Sequence, residues 1–215
     1  LGLSIGFGVW LATSERQWAK GFGTVGLYIL YSIPSFWTAT MLVVFFTTAE
    51  YGPWTDIFPT NGIGRLPAEA PFWNRFWETA GHLVLPIFCL MYGALAFITM
   101  QMRKAMETEM DKQYIMAARA RGFSKRHIIW KEAFPNALFP MITLIAMLIP
   151  VLFSGAVVIE MIFGIPGMGF LTLDAIYNDD WPVVYGVLVV IAFITMIGNL
   201  LGDVLYAWMD PKVGF

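Results

Sequence analysis

The sequence predicts an all-α, polytopic transmembrane helix bundle, and three observations predict it. First, hydrophobic residues make up 58% of the 215 and charged residues only 13%, about half the charged share of a soluble domain. With 16% aromatic residues besides, a water-soluble domain of this size has too little interior to hide the apolar surface. Second, stretches 21–49, 79–102, 133–159 and 181–202 contain no Asp, Glu, Lys or Arg. Each is long enough to cross a hydrocarbon core of about 30 Å as a helix, which takes roughly 20 residues. Third, the basic residues cluster in alternate connecting segments.

A fifth charge-free stretch, 1–14, is too short to cross alone and reads as the tail of a helix whose start is absent. It opens at Leu1 with no basic n-region and no cleavage site, so it does not read as a signal peptide. About five spans are therefore expected in one transmembrane domain, 1–215: a partial one at 1–14, then 21–49, 79–102, 133–159 and 181–205. The runs are continuously apolar rather than alternating, which argues against strands. Pro34, Pro86, Pro140 and Pro150 interrupt them. In a membrane bundle, neighbouring side chains re-satisfy the carbonyls that proline frees. Ser32, Ser35, Ser154 and Gly155 near these kinks allow close approach of backbones. The kinks serve bundle packing or line a pathway.

Lys and Arg set the orientation. With 15–20, 103–132 and the C-terminal tail on the cytoplasmic side, the inner segments hold Arg16, Lys20, eight basic residues from Arg103 to Lys131, and Lys212. The outer segments 50–78 and 160–180 hold only Arg65 and Arg75. Trp54, Trp73, Trp77 and Trp181 sit where interfacial aromatics belong. Residues 163–169, Phe-Gly-Ile-Pro-Gly-Met-Gly, form an expected turn before a short interfacial helix around Leu171–Tyr177. Asp179-Asp180 then turns the chain into the Trp181-Pro182 helix entry.

The net charge of −2 gives no overall field for nucleic acid. The single cysteine, Cys89, excludes a disulfide framework and reads as a packing residue. His82 reads as a satisfied interface residue. Glu160 is expected to cap the outer end of its span or line its mouth. Asn199, Asp203, Tyr206 and Asp210, spaced four, three and four, share a helix face suited to interhelical hydrogen bonding or an interface.

Segment 103–132 carries the functional information. Its first half is rich in helix formers, Gly122 suits the left-handed position that ends a helix, and Ser124 is a good N-cap for the next. Three readings compete for this helix–turn–helix: an amphipathic element on anionic headgroups, a nucleic-acid reader, or a docking element for a cytoplasmic partner. His127 falls on the same basic surface.

Ala117-Ala118-x-x-x-Gly122, with Phe134-Pro135 following, is similar to the EAA loop of ABC importer permeases. That pattern is Glu-Ala-Ala, three residues, Gly, nine residues, Ile, one residue, Leu-Pro. Met116, Glu132 and Phe134 depart from its Glu, Ile and Leu. The wider context resembles the oligopeptide/dipeptide/nickel branch, and its "B" permease in particular. The matching stretches are Tyr114 to Gly122, Asn136-Ala-Leu-Phe-Pro140, Ser32 to Trp37, Val158 to Gly169, Asp180 to Val184 and Asp210-Pro-Lys212. The resemblance implies the type I importer permease fold in a bacterial or archaeal inner membrane, without the N-terminal span and outer segment that the branch carries. It implies that Ala117, Ala118, Arg119, Arg121, Gly122, Ser124 and Pro135 dock a separate ATPase, with Arg119, Arg121, Lys125 and Arg126 pairing with acidic groups on its rim. The implied partners are two ATP-binding subunits or one fused pair, a second permease subunit, an extracytoplasmic solute-binding protein and the bilayer. ATP and magnesium would sit on the ATPase, because this chain has no G-x-x-x-x-G-K-[ST] loop and is expected to hold no cofactor.

The main rival is an ion-coupled secondary transporter or channel. It would want acidic residues at mid-membrane on broken helices, and the mid-span regions have none. An intramembrane enzyme would want H-E-x-x-H, G-x-S-x-G or a second aspartate beside Asp203, and these are missing.

Overall fold

The computed structural model describes residues 1–47, 52, 57–59, 62–64, 66–67 and 69–209. Trp54, Arg65, Asp210 and Lys212 lie outside them. Apart from one isolated bridge residue, Thr47, the described residues hold no strand. The helices are α1 (Gly2–Thr13), α2 (Gln17–Ser32), α3 (Ser35–Phe46), α4 (Phe72–Met110), α5 (Gln113–Ala120), α6 (Lys125–His127), α7 (Phe134–Ala137), α8 (Phe139–Ser154), α9 (Val157–Phe163), α10 (Met168–Tyr177) and α11 (Trp181–Met209). A π-helical segment, Ile128–Ala133, joins α6 to α7.

Two of these are long and apolar enough to cross a membrane singly, Phe72–Met110 and Trp181–Ala207. Three bent pairs, α2 with α3, α6–α7 with α8, and α9 with α10, pass the same composition test if each is counted as one span. At 1.5 Å per residue, α1 is about 18 Å long and falls short of a bilayer by itself.

The prolines act differently according to position. Pro34 stands at the break between α2 and α3, as the N-cap of α3. The Ile33 carbonyl left open there accepts a hydrogen bond from the Tyr92 hydroxyl at 2.6 Å, and Thr38 Oγ1 lies 3.0 Å from the same hydroxyl. A neighbouring helix thus satisfies a carbonyl left open at the break between α2 and α3. Pro86 and Pro150 sit inside α4 and α8, which continue through them.

The contacts group the chain into two compact units. One comprises Leu1–Ser32, Ala94–Pro150 and Phe193–Phe215. Its core is Met102, Met106, Ile115, Ala118, Ile128, Ala133 and Met141, each 3% exposed or less. Here Gly198 and Gly202 bring α11 against α8: a Cβ on Gly202 would lie 2.7 Å from Ala146 Cβ, and one on Gly198 3.3 Å from Pro150 Cδ. The other unit comprises Ile33–Gly93 and Val151–Ala192, around Ala39, Leu85, Cys89, Ile159 and Phe163. Cys89 is a buried packing residue in this cluster, as expected.

Candidate functional site: an exposed glycine elbow

The first half of segment 103–132 forms two helices rather than one. α4 runs on to Met110, and the chain turns at Asp111-Lys112, where Lys112 is extended at φ −72°, ψ 151°, before α5 begins. No glycine or proline marks this break. Side chains hold it instead. Glu109, only 8% exposed, accepts hydrogen bonds from Lys112 Nζ at 2.6 Å and from the Tyr114 hydroxyl at 2.8 Å. Asn136 Nδ2 donates to the Glu132 carbonyl at 2.8 Å and to the Tyr114 oxygen at 3.2 Å. This cluster ties the end of α4 to the π-helical return. Burial and the Glu109 carboxylate together push the Tyr114 hydroxyl up to about 12.

α5 ends as the sequence predicts. Gly122 is left-handed at φ +79°. Its N–H donates to Arg119 O at 3.0 Å, and the Phe123 N–H donates to Ala118 O at 3.3 Å. This pair of bonds is a Schellman cap, which only glycine enters without strain. Ser124 then caps α6, its Oγ accepting the His127 N–H at 3.3 Å.

The sequence-predicted docking residues divide by exposure. Ala118 is fully buried in the core and anchors the elbow, whereas Ala117, Arg119, Arg121, Gly122, Ser124 and Pro135 are exposed. Beside them stand the exposed apolar side chains Met116 at 54% and Phe123 at 40%. Arg121 lies over the Phe123 ring, 5.1 Å from its centroid, and Phe123 stacks on His127 at 4.7 Å. Lys125 is engaged within the chain, its Nζ 2.5 Å from Glu15 Oε1. That ion pair holds the Glu15 carboxyl below the usual carboxylate range.

Beyond the elbow, the π-helical turn is fitted to Pro135. Proline has no N–H for the Lys131 carbonyl, and its ring crowds the preceding turn. The wider turn, with the Phe134 N–H reaching back to Ile129 O, accommodates it. The Lys125–Ala137 segment bends by 46° into α8.

A second polar centre lies in the other unit. The predicted span 133–159 is interrupted at Gly155, left-handed at φ +80°. Glu160, 8% exposed, accepts the Ala156 N–H at 2.8 Å on Oε1 and the Phe170 N–H at 2.6 Å on Oε2. It therefore clasps the turn between α9 and α10, which are bent by 92°, rather than lining a mouth. His82 departs from expectation: it is 7% exposed and its Nδ1 has no hydrogen-bond partner among the described residues. Glu109 and the Gly198/Gly202 seam were not singled out from the sequence. The G-x-x-x-G spacing was the signal available for the seam.

Helices of spanning length and composition, joined by a cation-rich, solvent-exposed elbow, define the class: a helical membrane component. More specifically, the chain belongs to the family of binding-protein-dependent transport system inner membrane components, whose pattern matches residues 4–215. It is 35% identical over 215 residues to the oligopeptide transport system permease protein AppB of Bacillus subtilis, covering 99% of this chain and 65% of that protein. It is 32% identical over 200 residues to the inner membrane ABC transporter permease protein YejB of Escherichia coli O157:H7, covering 92% and 53%. It is 33% identical over 182 residues to the dipeptide transport system permease protein DppB of Lactococcus lactis, covering 85% and 54%. The chain thus spans between 53% and 65% of the length of these relatives.

Proposed function

We propose that the chain is the transmembrane subunit of an ATP-driven, binding-protein-dependent importer of peptides or similar small solutes, and that the Gly122 elbow is its docking point for the ATPase. The observation that carries this reading is the exposed elbow itself. A rigid cap offers Met116, Ala117, Arg119 and Gly122 to solvent, in a chain of a transport family. The names of the relatives, oligopeptide and dipeptide transport permeases, supply the substrate class.

In this reading the elbow and the C-terminus face the cytoplasm, consistent with the lysine and arginine bias. ATP and magnesium belong to two ATP-binding subunits or one fused pair. A second permease subunit completes the pathway, because about five helices rarely enclose a peptide-sized route. An extracytoplasmic binding protein delivers the solute. Closure of the ATPase pulls on the elbow. The Ile115, Ala118 and Ile128 side chains, buried among Met102, Met106 and Met141, carry that pull into α4 and α8 as a packed body.

The test is co-purification of the full-length protein with its ATPase, wild type against Gly122→Asp. Apart from Gly122 and its chain neighbours, no atom of the described residues lies within 4 Å of the missing Cβ, and aspartate tolerates the left-handed region better than most residues. The fold therefore survives, and the added bulk and charge fall on the partner. The expected result is at least a tenfold loss of associated ATPase with unchanged membrane insertion. Undiminished association removes the docking role.

A further inference from the structure

We propose that Tyr114 is a positioning residue for coupling: its hydroxyl ties α5 to both limbs of the elbow, the end of α4 and the return at α7, so that a pull on the elbow moves the two attached spans together. The inference rests on the importer reading above and assigns the transmission step of that reading to one side chain.

The backbone alone does not make this link. α4 ends at Met110 and Lys112 is extended, at φ −72° and ψ 151°, so no unbroken helix carries a displacement of α5 into α4. Side chains span the gap. A phenol has one hydrogen to donate and lone pairs to accept. The Tyr114 hydroxyl donates to Glu109 Oε2 of α4 at 2.8 Å and accepts from Asn136 Nδ2 of α7 at 3.2 Å. Asn136 is itself held, donating to the Glu132 carbonyl at 2.8 Å. The other partner of Glu109, Lys112, has a side chain 51% exposed and belongs to the break rather than to either limb. Among the described residues, Tyr114 is therefore the one α5 side chain hydrogen-bonded to both limbs.

Packing leaves room for such a tie to matter. Ile115 and Ala118 of α5 are buried with Met106, Ala133 and Ala137 in one apolar core. Apolar contact is non-directional and does not by itself fix how far one limb shifts against the other. Beside this core a cavity of about 270 Å³ opens, lined from α4 by Gln101, Lys104, Thr108 and Glu109 and from α8 by Pro140 and Leu144. Space of that size lets the limbs move separately, whereas close-packed interiors transmit displacement. The Glu109–Tyr114–Asn136 chain starts at the wall of this cavity. Its directional bonds hold the limbs in register where packing does not.

The test uses the full-length protein, assembled with its second permease, ATPase and binding protein in proteoliposomes and given a digest of short peptides. Tyr114→Phe keeps the ring and removes the hydroxyl. The expected result is unchanged ATPase recovery, continued ATP hydrolysis, and a fall of about fivefold in peptide taken up per ATP hydrolysed, within the range that single residues of a coupling network command. A purely structural role lowers the amount of complex and leaves that ratio alone. Asn136→Ala, which alters an exposed side chain, is expected to lower the ratio in the same direction. Glu109→Gln, which keeps an oxygen for the hydroxyl, is expected to preserve it. An unchanged ratio in Tyr114→Phe overturns the inference. So does a fall in Glu109→Gln as deep as in Tyr114→Phe, which would assign the effect to the Lys112 ion pair. If Tyr114→Phe fails to assemble, Asn136→Ala decides alone. Wild-type protein that recovers no ATPase, or takes up no peptide, sinks the importer reading instead, whereas a coupled wild type beside an equally coupled Tyr114→Phe sinks only the tie.

Discussion

Two left-handed glycines, one in each compact unit, have almost the same φ and opposite surroundings. Gly122 at φ +79° and Gly155 at φ +80° both end a helix. Around Gly122 the position of a Cβ is open space, while a Cβ on Gly155 would run into the Gly169 backbone and lie 2.7 Å from Glu160 Oε1. The buried carboxylates nearest these turns differ in the same way. Glu160 is satisfied by two backbone N–H groups, whereas Glu109 is satisfied by side chains, Lys112 and Tyr114. The Gly155 turn is fixed by the chain's own packing. The Gly122 elbow is fixed by its backbone cap and the buried Ala118 beneath it, and the space outside the glycine is open.

The sharpest way to break this contrast is to place the same methyl at both turns. Gly155→Ala meets backbone strain and a clash together, and should cost at least about 3 kcal/mol. Gly122→Ala meets left-handed strain alone, about 1–2 kcal/mol. Thermal unfolding of the purified protein in detergent measures both. Equal losses at the two sites would show that the elbow is as tightly packed as the Gly155 turn.

These turns also show what a sequence gives away. Gly122 and Ser124 were legible because a left-handed cap and an N-cap are local devices, specified by the residue that adopts them. The turn after Phe163 was legible for the same reason: α9 ends on Gly164 in the left-handed region. The break at Asp111-Lys112 was not legible, because it depends on Glu109 meeting Tyr114 and on Asn136, 22 residues further along, closing the cluster. The run 133–159 read as one span because its composition is uniformly apolar, and hydropathy does not register the conformation of Gly155. Glu160 was noticed as a charge at the end of a span. That its carboxylate folds back on two backbone amides is a tertiary fact, although Gly155, Gly167 and Gly169 around it hinted at a crowded turn.

A smaller effect tests how the elbow is held at its base. Tyr114→Phe removes the hydroxyl that donates to Glu109 and should cost about 1–3 kcal/mol, since a buried acceptor loses its partner. The pH dependence has a definite sign. The folded Tyr114 hydroxyl is raised from its ordinary 10 to about 12, so its contribution is whole below pH 10 and is lost as pH climbs from 10 to 12. Wild-type unfolding midpoints should fall more steeply across that interval than those of Tyr114→Phe. Parallel curves would mean that the hydroxyl does not brace the elbow.

The smallest effect belongs to the shortest ion pair among the described residues. Lys125 Nζ and Glu15 Oε1 are 2.5 Å apart, but their side chains are 53% and 83% exposed. Solvent screens such a pair and ordering two long side chains opposes it. Glu15→Gln should therefore leave the unfolding midpoint unmoved at neutral pH. Because the Glu15 carboxyl is held below its usual range by Lys125, any contribution would be present above pH 4.5 and fade as pH falls below it. Salt titration of the wild type gives an independent reading, since a surface pair weakens with ionic strength. If Glu15→Gln instead destabilised the protein as much as Tyr114→Phe, then the elbow would be clamped from two sides within its own chain. Its outer face would then be stiffened by the protein itself, and the contrast with the Gly155 turn would narrow to the packing around a single methyl.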